Sequence, residues 1–123
     1  MDESKIIPQL LCILDQIKLH HWATMSYATH KALDELHGSL SGLVDKFVES
    51  YLGHYQKQPV KKFTANFKIH SETNATTVME CLKESHDYFT KLQTVVKTSG
   101  ELVNILDEMR GAVDQTFYLV RLS

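Results

Sequence analysis

The chain contains 123 residues, which suits a single domain over residues 1–123 with a hydrophobic core of its own. Only 5 Gly and 2 Pro argue against a turn-rich all-β or disordered chain, and a net charge of −2 does not favour a nucleic-acid or membrane partner. No apolar run reaches the roughly 20 residues of a membrane span and no signal-like segment opens the chain, so we expect a cytoplasmic, non-secreted protein.

The first half of the chain predicts two helices. One stripe of residues recurs at three- and four-residue steps from Ile7 through His21 and Met25 to Ala28. Pro8 is tolerated only in a first turn, so the first helix begins close to it. A second helical pattern extends from about Tyr27 to Tyr51. The pattern leaves open whether the chain breaks near residues 23–26 or continues as one helix.

The second half predicts two more helices. One follows residues 71–73, any of which can cap it, and a turn at residues 97–100 leads into the last, where Thr98 and Glu101 have capping-box spacing. Residues 55–70, rich in lysine, form the connection between the two halves. The sequence therefore predicts an all-α four-helix bundle with a long crossover between helices 2 and 3.

Potential metal ligands share one side of the second helix. At 100° per residue, Asp34 lies about 40° from His30, Asp45 about 60° and Glu49 about 100°. Imidazole together with carboxylate suits iron, zinc or manganese. His30 and Asp45 are about 22 Å apart along the helix axis, so one chain cannot bring them to the same ion.

A second copy of the chain solves this separation. A two-fold axis near residue 40 places His30 and Asp34 of one copy beside Asp45 and Glu49 of the other. Gly38 and Gly42 flank that axis and allow two antiparallel helices to approach closely. The alternative is that residues 37–42 form a loop, which would interrupt the row of ligands.

These residues resemble a known signature. His21-Trp22, His30-x-x-x-Asp34 and Asp45-x-x-x-Glu49 are similar to the ferroxidase motif of Dps-type mini-ferritins within the ferritin-like superfamily. By that resemblance His21 is the first-helix ligand, and Asp45 and Glu49 are the ligands across the two-fold axis. The segments from His21 to Leu33 and from Asp107 to Leu122 also resemble a small uncharacterised ferritin-like family of phages and large DNA viruses.

The resemblance implies an iron-binding homo-oligomer, at least a dimer, that sequesters or oxidises Fe²⁺. The resemblance leaves open whether the protein is an enzyme. If it is a ferroxidase, we expect the metal ligands themselves to be its catalytic residues. His37 is an accessory ligand candidate, and we expect Trp22 to pack near the site and shield it, and the neighbouring His20 to face solvent. An intrasubunit di-iron site lacks a convincing second carboxylate-x-x-His pair.

A second hypothesis is non-enzymatic. The interval from His21 to His30 is shorter than in mini-ferritins, which favours a helical-bundle interaction or accessory protein, virus-encoded in this case, that kept the scaffold without the chemistry. A third hypothesis assigns nucleic-acid binding to Lys57, Lys61, Lys62 and Lys68 with interleaved aromatic residues, but four lysines give it little support.

Overall fold

The computed structural model describes residues 1–64 and 73–122. A short 3₁₀ turn, Glu3–Lys5, precedes four α-helices and no strand within these ranges. The helices are α1 Ile6–Ala23, α2 Tyr27–Tyr55, α3 Ala75–Val95 and α4 Gly100–Arg121. The predicted all-α class and the four helices are confirmed. The open question about residues 23–26 is also answered, because α1 ends at Ala23 and α2 starts anew at Tyr27.

The helices pack as a bundle in which each touches two neighbours. α1 packs on α2, α2 on α4 and α4 on α3, and α1 also contacts α3. His20 in the last turn of α1 lies 3.1 Å from the hydroxyl of Thr73, just before α3. At the other end of the bundle, the Nδ1 of His54, near the end of α2, lies 3.6 Å from the Oε1 of Glu101 at the start of α4. Residues 56–74 therefore connect opposite ends of the bundle, as a crossover between α2 and α3 requires.

Two helix starts differ from the sequence-based expectation. α3 is capped by Asn74 and not by residues 71–73: its side chain accepts from the Thr77 N–H at 3.0 Å, and the Thr77 hydroxyl accepts from the Asn74 N–H at 2.9 Å. α4 is capped by Ser99 and not by Thr98. In each case the capping residue is the one whose side-chain oxygen accepts a hydrogen bond from the backbone N–H three residues later. The sequence spacing located this residue only approximately.

A single apolar core fills the bundle. Leu10, Ile17, Phe47, Phe89 and Leu106 are fully buried and come from all four helices. Cys12 and Cys81 are buried free thiols, as small hydrophobic residues are expected to be.

α2 is continuous through both glycines. Its 29 residues give a length of about 43 Å, and the loop alternative for residues 37–42 is wrong. A Cβ built at Gly38 or Gly42 meets nothing within 4 Å in the described part of the chain. Both glycines are exposed, so packing within one chain does not explain them.

The start of the basic connection is tied to the N-terminus. Lys57 pairs with Glu3 at 3.4 Å, and the buried Tyr51 donates its hydroxyl to Glu3 at 3.1 Å. Lys68 and Phe67 lie outside the described residues. In the two described ranges, no helix combines the length and the apolar character that crossing a membrane requires.

Candidate metal site

The turn between α1 and α2 brings two histidines into contact. His21 lies in the last turn of α1 and His30 in the first turns of α2, and their rings stack with centroids 3.9 Å apart. The Nδ1 of His21 lies 2.8 Å from the His30 carbonyl oxygen, and the Nδ1 of His30 lies 2.9 Å from the His21 carbonyl oxygen. Each ring therefore binds the backbone of the other helix, and we call this pair of hydrogen bonds between His21 and His30 the histidine clasp.

The clasp fixes which ring nitrogen carries the proton. A carbonyl oxygen only accepts hydrogen bonds, so each Nδ1 must donate. In a neutral ring this leaves Nε2 with its lone pair, the state in which imidazole binds a metal ion, and a hydrogen bond from the other nitrogen to a carbonyl is typical of metal-binding histidines. The same clasp also stabilises the fold, since the His21 carbonyl belongs to the last turn of α1, which lacks partners within the helix.

Asp34 lies beside this pair. Its Oδ1 is 3.8 Å from the Nε2 of His21, and the side chain of His21 is 8% exposed whereas that of Asp34 is 63% exposed. Two ligands of one tetrahedral ion with bonds of about 2.1 Å lie about 3.4 Å apart. The separation of the buried imidazole and the exposed carboxylate is therefore close to the one that two ligands of a single ion require.

The two accessory candidates lie in different environments. His37 is half-buried, and its pKa is lowered by burial first and by the nearby Lys18 second, so its ring is neutral at pH 7. Trp22 is 67% exposed, which corrects the expectation that it packs over the site. Its ring lies 5.7 Å from the Nζ of Lys18, which lies one helical turn earlier on α1.

Asp45 and Glu49 are exposed on the same helix but far from the histidines. They lie 15 and 19 residues after His30, about 22 and 28 Å along α2. Over residues 1–64 and 73–122, no three His, Cys, Asp or Glu side chains converge on one point that could hold a metal ion. One copy of the chain therefore brings His21 into contact with His30 and within 3.8 Å of Asp34, and it leaves Asp45 and Glu49 apart from them.

Three residues near the site were missed or misplaced by sequence reasoning. His20 is buried, which corrects the expectation that it faces solvent. Tyr27 stacks on His30 with ring centroids 6.2 Å apart. The Nζ of Lys18 lies 4.0 Å from Asp34 Oδ1. Lys18 precedes His21 by three residues, the helical spacing that could have signalled its position.

Comparisons with known proteins identify relatives without a known activity. A family of unknown function, DUF5856, matches residues 21–120, a range that begins at His21 in the last turn of α1 and covers α2, α3 and nearly all of α4. An uncharacterised 14.6 kDa protein of the mobD-ri intergenic region of Enterobacteria phage T4 is 28% identical over 102 residues, which cover 83% of this chain and 74% of the phage protein. No solved structure gives a significant match. The predicted relationship to an uncharacterised phage-type family is thus confirmed, and the chain belongs to the DUF5856 family.

Proposed function

We propose that this protein is a ferritin-like iron-binding protein whose site is shared between two copies related by a two-fold axis. His21, His30 and Asp34 come from one copy, and Asp45 and Glu49 come from the other. The observation that carries the proposal is the histidine clasp, in which both Nδ1 atoms are engaged by carbonyl oxygens and one Nε2 lies 3.8 Å from Asp34.

The outer face of α2 supports pairing with itself. With a two-fold axis at residue 40, a residue of one copy lies opposite the residue of the second copy for which the two residue numbers add up to 80. Gly38 then faces Gly42 of the second copy, and Lys31 faces Glu49 of the second copy. Glycines at the crossing permit close approach, and opposite charges above and below it favour this register.

The two flanks of this helix pair differ in charge. Glu35 and Lys46 lie on one side of the line through the glycines, at about 140° and 160°, so they pair across the axis. Asp34 and Asp45 lie on the other side, at about 40° and 60°, where two carboxylates meet without a facing lysine from the second copy. A divalent cation compensates this pair of acids, and the histidines lie on the same side.

The chemistry follows from the ligand types. Mixed imidazole and carboxylate ligands bind Fe²⁺, with zinc and manganese as alternatives. In the oxidation, two Fe²⁺ ions lose one electron each, and one O₂ takes up two electrons and two protons to form hydrogen peroxide. Fe³⁺ leaves as the product, for deposition as a mineral if the oligomer encloses a cavity.

A second candidate is a non-enzymatic interaction module. It is favoured by the exposed apolar side chains of Trp22, Met25 and Tyr27 at the same turn, of which Met25 is 98% exposed. In that case the histidine clasp acts only as a connector between α1 and α2.

Subunit complementation tests the shared site. One variant carries His30→Ala and Asp34→Asn, and the other carries Asp45→Asn and Glu49→Gln. Each alone should lose tight Fe²⁺ binding under anaerobic conditions, measured by calorimetry. After unfolding and refolding as an equal mixture, half of the dimers are mixed and each regains one of its two sites, so about one quarter of the wild-type capacity should return.

Two controls accompany the mixture. Glu84→Gln with Asp87→Asn removes two exposed acids from α3 and should leave Fe²⁺ binding unchanged. Circular dichroism should show that Asp45→Asn with Glu49→Gln is as stable as the wild type, because both side chains face solvent. The variant His30→Ala with Asp34→Asn should keep its helical content although it loses the hydrogen bond from His30 Nδ1 to the His21 carbonyl. No recovery in the mixture, or undiminished binding in either parent variant, would contradict the shared site.

A further inference from the structure

We infer that Lys18 is a built-in competitor of the metal ion, an ammonium group that occupies Asp34 until a divalent cation displaces it. This inference rests on the proposed function, since it concerns the same site. It assigns to a residue outside the ligand set the role of weakening metal affinity.

The contacts place two groups on one carboxylate oxygen. Asp34 Oδ1 lies 4.0 Å from Lys18 Nζ and 3.8 Å from His21 Nε2. A cation bound between His21 and Asp34 would therefore lie next to the ammonium group. The bound cation and the Lys18 ammonium group would repel each other. This repulsion and the loss of the attraction between Lys18 and Asp34 both weaken binding of the cation.

Lys18 has a second position that requires no new contact. Its Nζ already lies 5.7 Å from the centre of the Trp22 ring, one helical turn further along α1. The face of an indole attracts an ammonium group, so a lysine released from Asp34 can remain over Trp22. The side chain is 31% exposed, which leaves room for this movement.

The position of Lys18 also explains how an exposed carboxylate stays suitable for a metal ion. Without a nearby cation, Asp34 would add an unbalanced charge to a flank that already carries Asp45 of the second copy. Lys18 offsets this charge in the metal-free protein and leaves when a stronger cation arrives. The exchange sets a threshold on the metal concentration at which the site fills.

The expected effect is a gain of affinity when Lys18 is removed. Lys18→Met keeps most of the apolar stem and deletes the charge, and Zn²⁺ affinity measured by calorimetry on the full chain should rise about tenfold. Lys18→Arg keeps the charge and should remain close to wild type. Lys91→Met, an exposed lysine of α3, is the matched control for net charge and should leave the affinity unchanged.

Trp22 supplies an independent readout because it is the single tryptophan of the chain. Zn²⁺ is redox-inactive and cannot oxidise the indole, so a change in Trp22 emission at saturating Zn²⁺ should report the movement of Lys18 over the ring. In Lys18→Met the change should be much smaller. Lys91→Met should show the wild-type change.

The outcomes separate the two proposals. If the wild type does not bind Zn²⁺ or Fe²⁺, or if Asp34→Asn leaves binding unchanged, the proposed site is wrong. If wild-type binding depends on Asp34 but Lys18→Met binds no more tightly, the metal site stands and the role given to Lys18 is overturned. Tighter binding by Lys18→Met together with unchanged affinity in Lys18→Arg supports the inference.

Discussion

The two helical hairpins of the bundle close their turns in opposite ways. Between α3 and α4, Val96 is 0% exposed and the capping Ser99 is 3% exposed. Between α1 and α2, Met25 is 98% exposed, and the connection is held by hydrogen bonds between histidine rings and backbone carbonyls. One turn is closed by apolar burial and the other by polar groups.

The two turns differ in the polar groups that they leave available. The buried Val96 has no polar group to offer. A histidine that donates through Nδ1 retains the Nε2 lone pair, so the α1–α2 turn keeps the groups that the proposed metal site requires. The exposed aromatic residues around it add surface that the core does not use.

Introducing a charge at each turn should give the largest difference between the hairpins. Val96→Asp places an unpaired carboxylate in the core and should lower the free energy of unfolding by about 4 kcal/mol. Met25→Asp should change it by less than about 0.5 kcal/mol. Urea unfolding followed by circular dichroism measures both, and a similar loss in the two variants would show that Met25 is covered.

The sequence predicted the helices well because their apolar residues repeat over many turns. It was less exact where one side chain decides the outcome, and it left open the break near residues 23–26. The apolar spacing of α1 continues to Met25, yet the helix ends at Ala23, since Ser26 caps a new helix by accepting from the Thr29 N–H at 3.2 Å. Periodicity describes a face and does not locate the residue at which a chain turns.

The candidate site was predicted in part for a similar reason. The helical spacing placed Asp34 one turn after His30, and the continuous α2 preserves that relation. The contact of His21 with His30 depends on the three-residue turn between the helices, which no repeat encodes. Trp22 was expected to pack near the site and shield it, but its side chain is 67% exposed.

Alkaline pH should sharpen the comparison, because α3 carries the buried thiol of Cys81 and the half-buried phenol of Tyr88. Burial raises the pKa of Cys81 from 9.0 and that of Tyr88 from 10.0, each to about 12. Above pH 9 the unfolded chain loses the Cys81 proton while the native state keeps it. The free energy of unfolding should therefore fall by about 1.4 kcal/mol per pH unit for this group until the pH approaches 12.

Cys81→Ala should remove that share of the slope, about 2 kcal/mol between pH 9 and 11, in urea titrations at each pH. Val78→Ala, another buried residue of α3, is the control for the cavity and should lower stability by a similar amount at every pH. A slope that is unchanged in Cys81→Ala would mean that the thiol ionises in the native state.

The glycines give the smallest effect on folding and the most specific one on assembly. Gly38 and Gly42 in α2 and Gly111 in α4 are all exposed within helices, and a Cβ at any of them meets nothing within 4 Å. Replacing each by alanine should stabilise the folded monomer by up to about 1 kcal/mol. Thermal unfolding at low protein concentration should show this gain at all three positions.

Only the α2 positions should affect dimers. In an antiparallel α2 pair centred on residue 40, Gly38→Ala with Gly42→Ala adds four methyl groups where the two backbones approach, so sedimentation should show association weakened about tenfold or more. Gly111→Ala should associate like the wild type. If Gly38→Ala with Gly42→Ala is more stable as a monomer and associates as strongly as the wild type, the proposed helix crossing near residue 40 is wrong. Asp45 and Glu49 of the second copy would then have no route to the histidines. The opposite result would mean that α2 retains two destabilising glycines for the sake of a contact that a single copy does not make.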